Sequence, residues 1–204
     1  MKSIIPADMT FSEVGHLPIV KAFAQRIKLV ETFDAMVDSQ MNLSAGTCVL
    51  AMVLDTLSGR TPLYRLKTFF HEKDIELLLG REVAPATFAD HNVARVLDKI
   101  FDTGTHKIFS KIAQNAIDVF DIDPQRVHFD TTSITVFGDY EGDENPFKID
   151  YGYSKDKRPD LKQFLVSMLC VDRNIPIIGA CKDGNASDKT LNNELLGGIS
   201  KHMA

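Results

Sequence analysis

Apolar positions recur at three- and four-residue steps across residues 17–120, a spacing that predicts a helical region. Leu17, Val20, Lys21, Phe23, Ala24 and Ile27 make a first short stripe, and residues 29–37 a second helix. Ser44 is placed to cap residues 45–57, which are apolar nearly all round and so belong at the centre of a bundle. Ser58-Gly59 ends that helix, and Pro62 stands where a first-turn proline is tolerated, opening residues 63–71. Asp74 leads into a short turn closed by Gly80, Thr87 is placed to cap residues 88–101, and Gly104-Thr105 begins a last helix through Phe120. Met36, Met41 and Met52 read as bundle filling.

The pattern changes at Asp121-Ile122-Asp123-Pro124, a short polar connector. Residues 127–137 are rich in β-branched and aromatic side chains and read as a strand. A polar loop at 138–146 precedes an extended piece at 147–153. Residues 164–171 form a near-continuous apolar strand, Asp172-Arg173-Asn174 a turn, and residues 175–181 its hairpin partner. Pro176 cannot donate to a ladder, which puts that last strand at a sheet edge. Ser187 or Asp188 is placed to cap a closing helix through Leu191, Leu195 and Ile199. The predicted class is α+β, with an all-helical domain at 1–122 and a β-β-β-α unit, an antiparallel three-stranded meander and a helix, at 123–204.

Composition adds exclusions. The 204 residues are 44% hydrophobic and 25% charged, as in ordinary globular chains. No stretch reaches the roughly 18–20 apolar residues of a membrane helix; residues 43–57 come nearest and carry Asp55. The first residues lack the basic flank, apolar run and small-residue site of a secretory signal, and Cys48, Cys170 and Cys181 make no CxxC pair. Both observations suit a cytoplasmic protein with free thiols. The net charge is −5, with 13 basic against 16 acidic residues in 1–125 and 10 against 12 afterwards, so any nucleic-acid contact must come from local patches.

Candidate chemistry concentrates in the second half. Asp130 sits inside the strand Val127-His128-Phe129-Asp130-Thr131-Thr132-Ser133-Ile134, where burying an unpaired carboxylate is expensive. One reading is a metal-ligating carboxylate on a rigid strand; the other is an Asp bonded to Thr131, Thr132 or nearby amides. His128, two residues earlier on the same face, reads as a packed strand histidine. Lys155, Lys157, Arg158 and Lys162 make the loop after Tyr153 locally basic, suited to a phosphate backbone, with Gln163 available for a base or sugar; a solvated connection is the alternative. The acidic loop at 139–145 fails EF-hand spacing, because Glu144 stands where glycine is required. No P-loop, dinucleotide fingerprint or nucleophile elbow is present.

Three motifs in one order, His128-Phe129-Asp130-Thr131-Thr132-Ser133, then Tyr151-Gly152-Tyr153-Ser154-Lys155-Asp156 with Arg158-Pro159-Asp160-Leu161-Lys162-Gln163, then Asp183-Gly184-Asn185-Ala186-Ser187-Asp188, make residues 127–204 resemble the DDE transposases of bacterial insertion sequences. The resemblance implies an RNase H-like domain whose first strand carries the first catalytic and metal-ligating acid, at Asp130. It implies Mg²⁺ or Mn²⁺, phosphodiester hydrolysis and strand transfer, and double-stranded DNA with terminal inverted repeats as partner. Thr131, Thr132, Lys155, Lys157, Arg158, Lys162, Gln163 and Asn185 fall on DNA-contacting positions. The family's second Asp and its Glu lie beyond Ala204, so the expectation is an N-terminal fragment, RNase H-like in part, inactive alone and weak or empty in metal. Self-association through the helical domain or the unpaired edge of strand 127–137 is expected with it. Two other readings compete: a non-enzymatic regulator that binds DNA or transposase, and an unrelated hydrolase using Asp130, Asp188 and Glu194.

Overall fold

The computed structural model describes residues 12–39, 41–141, 146–154 and 157–187. Among these residues the fold is α+β, with seven α-helices followed by a three-stranded antiparallel sheet. The chain divides into two compact units, residues 1–119 and 120–204.

The helical unit begins with α1 (Leu17–Arg26) and α2 (Leu29–Met36), separated by Ile27 and a left-handed Lys28. Then comes α3 (Ala45–Thr56), which has eight buried residues, Asp55 among them, and is the centre of the core. Ser44 caps it as the sequence implies, its Oγ accepting from the Thr47 amide at 3.2 Å. Asp55 is buried at the helix end because Thr61 satisfies it, donating from Oγ1 at 2.6 Å. Gly46 lets α2 and α3 approach closely: a Cβ there would lie 2.3 Å from the Val30 carbonyl oxygen. Its amide also donates to Asp34 Oδ1 at 2.7 Å.

The segment predicted as one helix at 63–71 is three pieces, a 3-10 turn at Leu63–Arg65, α4 (Leu66–Phe69) and a second 3-10 turn at Phe70–Glu72. That tightening turns Leu66 and Phe70 together into the core, both fully buried. The short α5 (Ile75–Leu79) is capped by Asp74, which accepts from the Leu77 amide at 2.9 Å, and closed by Gly80 at φ 75°. Thr87 does not cap a helix. It lies in a 3-10 turn, Pro85–Phe88, where its carbonyl accepts from Asn92 Nδ2, and α6 (Asp90–Thr103) starts after Ala89 instead. Gly104 leads into α7 (Thr105–Phe120), and Asn115 ties α7 to the α1–α2 turn by donating to Ile27 O and Thr32 Oγ1. Met36, Met41 and Met52 pack against this core. Among the described residues no helix is long and apolar enough to cross a membrane.

Burial in α3 pushes the Cys48 thiol from its ordinary 9.0 up to about 12. A folded-state pKa above the unfolded one means the neutral thiol's contribution is present below pH 9 and is lost as pH rises toward 12. Unfolding free energy measured between pH 9 and 11 should therefore fall more steeply for the natural chain than for Cys48→Ala. Equal slopes would sink this assignment.

The second unit holds β1 (His128–Val136), β2 (Lys162–Val171) and β3 (Ile175–Lys182) in the order β1-β2-β3. A hairpin through Asp172–Asn174 joins β2 to β3, with Arg173 and Asn174 both left-handed at φ 57° and 58°. β3 is an edge strand, and Pro176 sits beside a register shift at Leu169/Cys170 where a missing donor matters least. The extended piece expected at 147–153 reduces to one bridge, Asp150 to Gln163. The closing helix, with Asp188 and Glu194, lies outside the described residues.

Candidate functional site

Period-two alternation gives β1 two unlike faces. Phe129, Thr131, Ser133 and Thr135 pair with Leu169, Ser167, Leu165 and Gln163, and most of that face is buried. His128, Asp130 and Thr132 pair with Cys170, Met168 and Val166 on the other face, where all three β1 residues are exposed. Asp130 is thus not a buried acid, and the desolvation argued from its apolar surroundings does not arise: the pleat turns it outward. His128 is likewise exposed rather than packed.

These six side chains and Asn174 line a shallow cleft of about 310 Å³. His128, Met168, Cys170 and Asn174 were not read as site residues from the sequence. Counting by twos from Asp130 and pairing the hairpin would have reached the first three. Asn174 follows from the two left-handed residues the tight turn needs.

The predicted nucleic-acid contacts do not share one surface. Thr132 is exposed beside Asp130, whereas Thr131 is 6% exposed on the opposite face and cannot meet a nucleic acid there. Gln163 is 2% exposed, with Nε2 donating to Gly184 O at 2.8 Å and Tyr153 O at 3.4 Å. It is a structural amide, not a base-reading one. Arg158 grips Asp160 with two parallel bonds, Nε to Oδ1 at 2.8 Å and Nη2 to Oδ2 at 2.7 Å. That pairing holds the Asp160 carboxyl below its usual range and the guanidinium above its own. Lys162 donates to the Asp139 carbonyl and lies 6.0 Å over the Tyr151 ring. Lys157 is exposed at φ 58°, Asn185 Nδ2 donates to Asp150 Oδ2 at 3.2 Å, and Lys155 lies outside the described residues.

The motif residues are instead woven to one another. Asp150 and Gln163 exchange backbone bonds of 3.1 and 2.9 Å, Gly184 donates to Lys148 O at 2.9 Å, and Asp183 Oδ1 accepts from the Lys148 amide at 2.8 Å. Gly152 and Gly184 are glycines for lack of room: a Cβ on Gly152 would sit 2.1 Å from Gly184 O, and one on Gly184 1.9 Å from Gln163 O. The Tyr-Gly-Tyr and Asp-Gly-Asn motifs thus form a junction locking the loop after β1 to the ends of β2 and β3.

Among the described residues, no three His, Cys, Asp or Glu side chains lie close enough together to hold a metal ion. Asp130 and Thr132 offer hard oxygens at the cleft, while His128, Met168 and Cys170 offer softer atoms. That set falls short of a closed Mg²⁺ or Mn²⁺ site.

No curated protein and no solved structure matches the chain. Residues 9–114 match the family described as Domain of unknown function (DUF4277), and because that is more than half of the 204 residues, the chain belongs to this family.

Proposed function

We propose that the chain is the N-terminal part of a DDE transposase of the bacterial insertion-sequence type, with Asp130 as its first metal-ligating acid and double-stranded DNA as its partner. One observation carries the reading: the acid of the His-Phe-Asp-Thr-Thr-Ser motif stands outward on the first strand of an antiparallel meander, in the wall of a cleft. Rigid strand placement of an exposed carboxylate is what metal-assisted phosphodiester chemistry requires, since cations must be held against the attacking and leaving oxygens. When bound, Mg²⁺ or Mn²⁺ would supply that stabilisation.

Among the described residues one carboxylate lines the cleft, too few to hold two cations, so the chain is expected to bind Mn²⁺ weakly, on the order of millimolar, and to leave DNA uncut. Mn²⁺ titration followed by paramagnetic line broadening tests the assignment. Broadening should centre on residues 128–132 and vanish in Asp130→Asn. Broadening elsewhere, or persisting in the variant, would remove Asp130 from the role. Metal-dependent nicking of a labelled hairpin, abolished by Asp130→Ala, would overturn the expected inactivity.

The small donor set also favours a second reading, a regulator that occupies DNA without cutting it. Mobility shifts across salt separate the components: duplex affinity falling linearly with log salt concentration supports DNA as the partner, and its absence at low salt leaves only a protein partner.

A further inference from the structure

A second concave feature lies wholly in the helical unit. A groove of about 720 Å³ runs between α2 and α7, with Lys28 on one wall and Lys107 and Lys111 on the other. Its floor is carbon-rich, formed by Thr32, Ala35 and Met36. The amides within it are occupied, Asn115 by Ile27 O and Thr32 Oγ1, and Gln114 by Asp118 Oδ1 at 2.8 Å. One acid, Glu31, opposes three ammonium groups in a chain whose net charge is −5.

That combination selects among occupants. Three ammonium groups suit a phosphate backbone or a carboxylate-bearing partner alike, but the side-chain amides are already engaged and the apolar floor has no counterpart on a phosphate. An apolar floor with a cationic rim fits an amphipathic helix that presents apolar side chains flanked by carboxylates.

The chain carries such a helix. On α6, Val93, Val96 and Ile100 face the core, leaving Ala94, Leu97 and Phe101 exposed along one stripe, the last two at 38% and 61%. Asp98 and Asp102, both exposed, follow Leu97 and Phe101 on the solvent side of that stripe. From Ala94 to Phe101, and from Lys107 to Gln114, each helix advances about 10 Å, so stripe and groove match in length. Among the described residues of the helical unit nothing covers Leu97 and Phe101.

We propose that the chain pairs with a second copy of itself, the Ala94-Leu97-Phe101 stripe of α6 entering the groove between α2 and α7 of the other copy, with Asp98 and Asp102 meeting Lys107 and Lys111. If the exchange is reciprocal it closes as a two-fold dimer. This association is independent of any pairing along β1 and of any metal.

Charge reversal tests it in the full chain by sedimentation velocity over a concentration series. The natural chain should dimerise, less so at high salt. Lys107→Glu with Lys111→Glu, and separately Asp98→Lys with Asp102→Lys, should each raise the dissociation constant at least tenfold, because like charges then face each other. Mixing the two doubly substituted proteins should restore dimers, since every contact in the mixed pair is again between opposite charges. All four positions are exposed, and unchanged thermal unfolding confirms that the variants fold. A monomer at every concentration, a dimer indifferent to both reversals, or no recovery on mixing would overturn the proposal. Loss of duplex DNA binding in the lysine-reversed protein with association intact would give the groove to nucleic acid and overturn it equally.

Discussion

Replacing Phe70 by alanine should lower the stability of the helical unit by about 3–5 kcal/mol, the range for emptying a fully buried aromatic site. Phe70 is 0% exposed, stacked on Phe88 with ring centroids 4.7 Å apart and met edge-on by Phe69 at 4.9 Å. Leu66, one turn earlier, is also fully buried, so collapse into the vacated space would have to move α4 as a whole. Small domains are stable by only about 5–15 kcal/mol in total, so the variant should melt far below the natural chain, or not fold. Phe70→Leu, which keeps much of the volume, should recover more than half of the loss. A Phe70→Ala change under about 1 kcal/mol would mean that the aromatic stack is not a structural centre.

The second large effect is expected at Gly184. Alanine there places a methyl 1.9 Å from Gln163 O and 2.7 Å from Asp150 O, both backbone atoms held in mutual hydrogen bonds. Neither can retreat without breaking the bridge, so overpacking should sit at the upper end of its usual range, about 3 kcal/mol. Gly152→Ala meets the same junction from the other side, 2.1 Å from Gly184 O. The two losses should therefore sum to less than additivity, the first having already opened the space the second needs. Hydrogen exchange at the amides of Gln163 and Gly184 is the direct readout. Protection retained in Gly184→Ala would count against the junction as a structural lock.

What the sequence made legible follows the range of each interaction. Ser44, Asp74 and Gly80 act within four residues of themselves, and their caps read directly from the chain. Thr87 had the right identity for a cap, yet Ala89 took the position because a 3-10 turn intervened and Asn92 claimed the Thr87 carbonyl. In the sheet the order of strands and the place of Pro176 on β3 are legible, but the facing of β1 is misleading. Thr131 and Ser133 are buried while Ile134 is exposed, the reverse of what polarity suggests. Gln163 was the least legible, since its partner Gly184 is 21 residues away and nothing local marks the amide for burial. The α2–α7 groove escapes for a similar reason: Lys28 and Lys107 come to line one groove only after the helices have packed.

The glycine junction also sets an order of events in time. The helical unit is built largely from contacts between successive short elements, which form quickly. The junction joins Lys148 to Asp183 and Asn185 to Asp150 across 35 residues, and its closure waits on both the β2–β3 hairpin and the long loop after β1. During that interval β1 and β3 are strands whose neighbouring loops are not yet anchored. The clasping of the two glycine turns is therefore expected late in folding, after β1, the strand that carries Asp130, has found its register on β2.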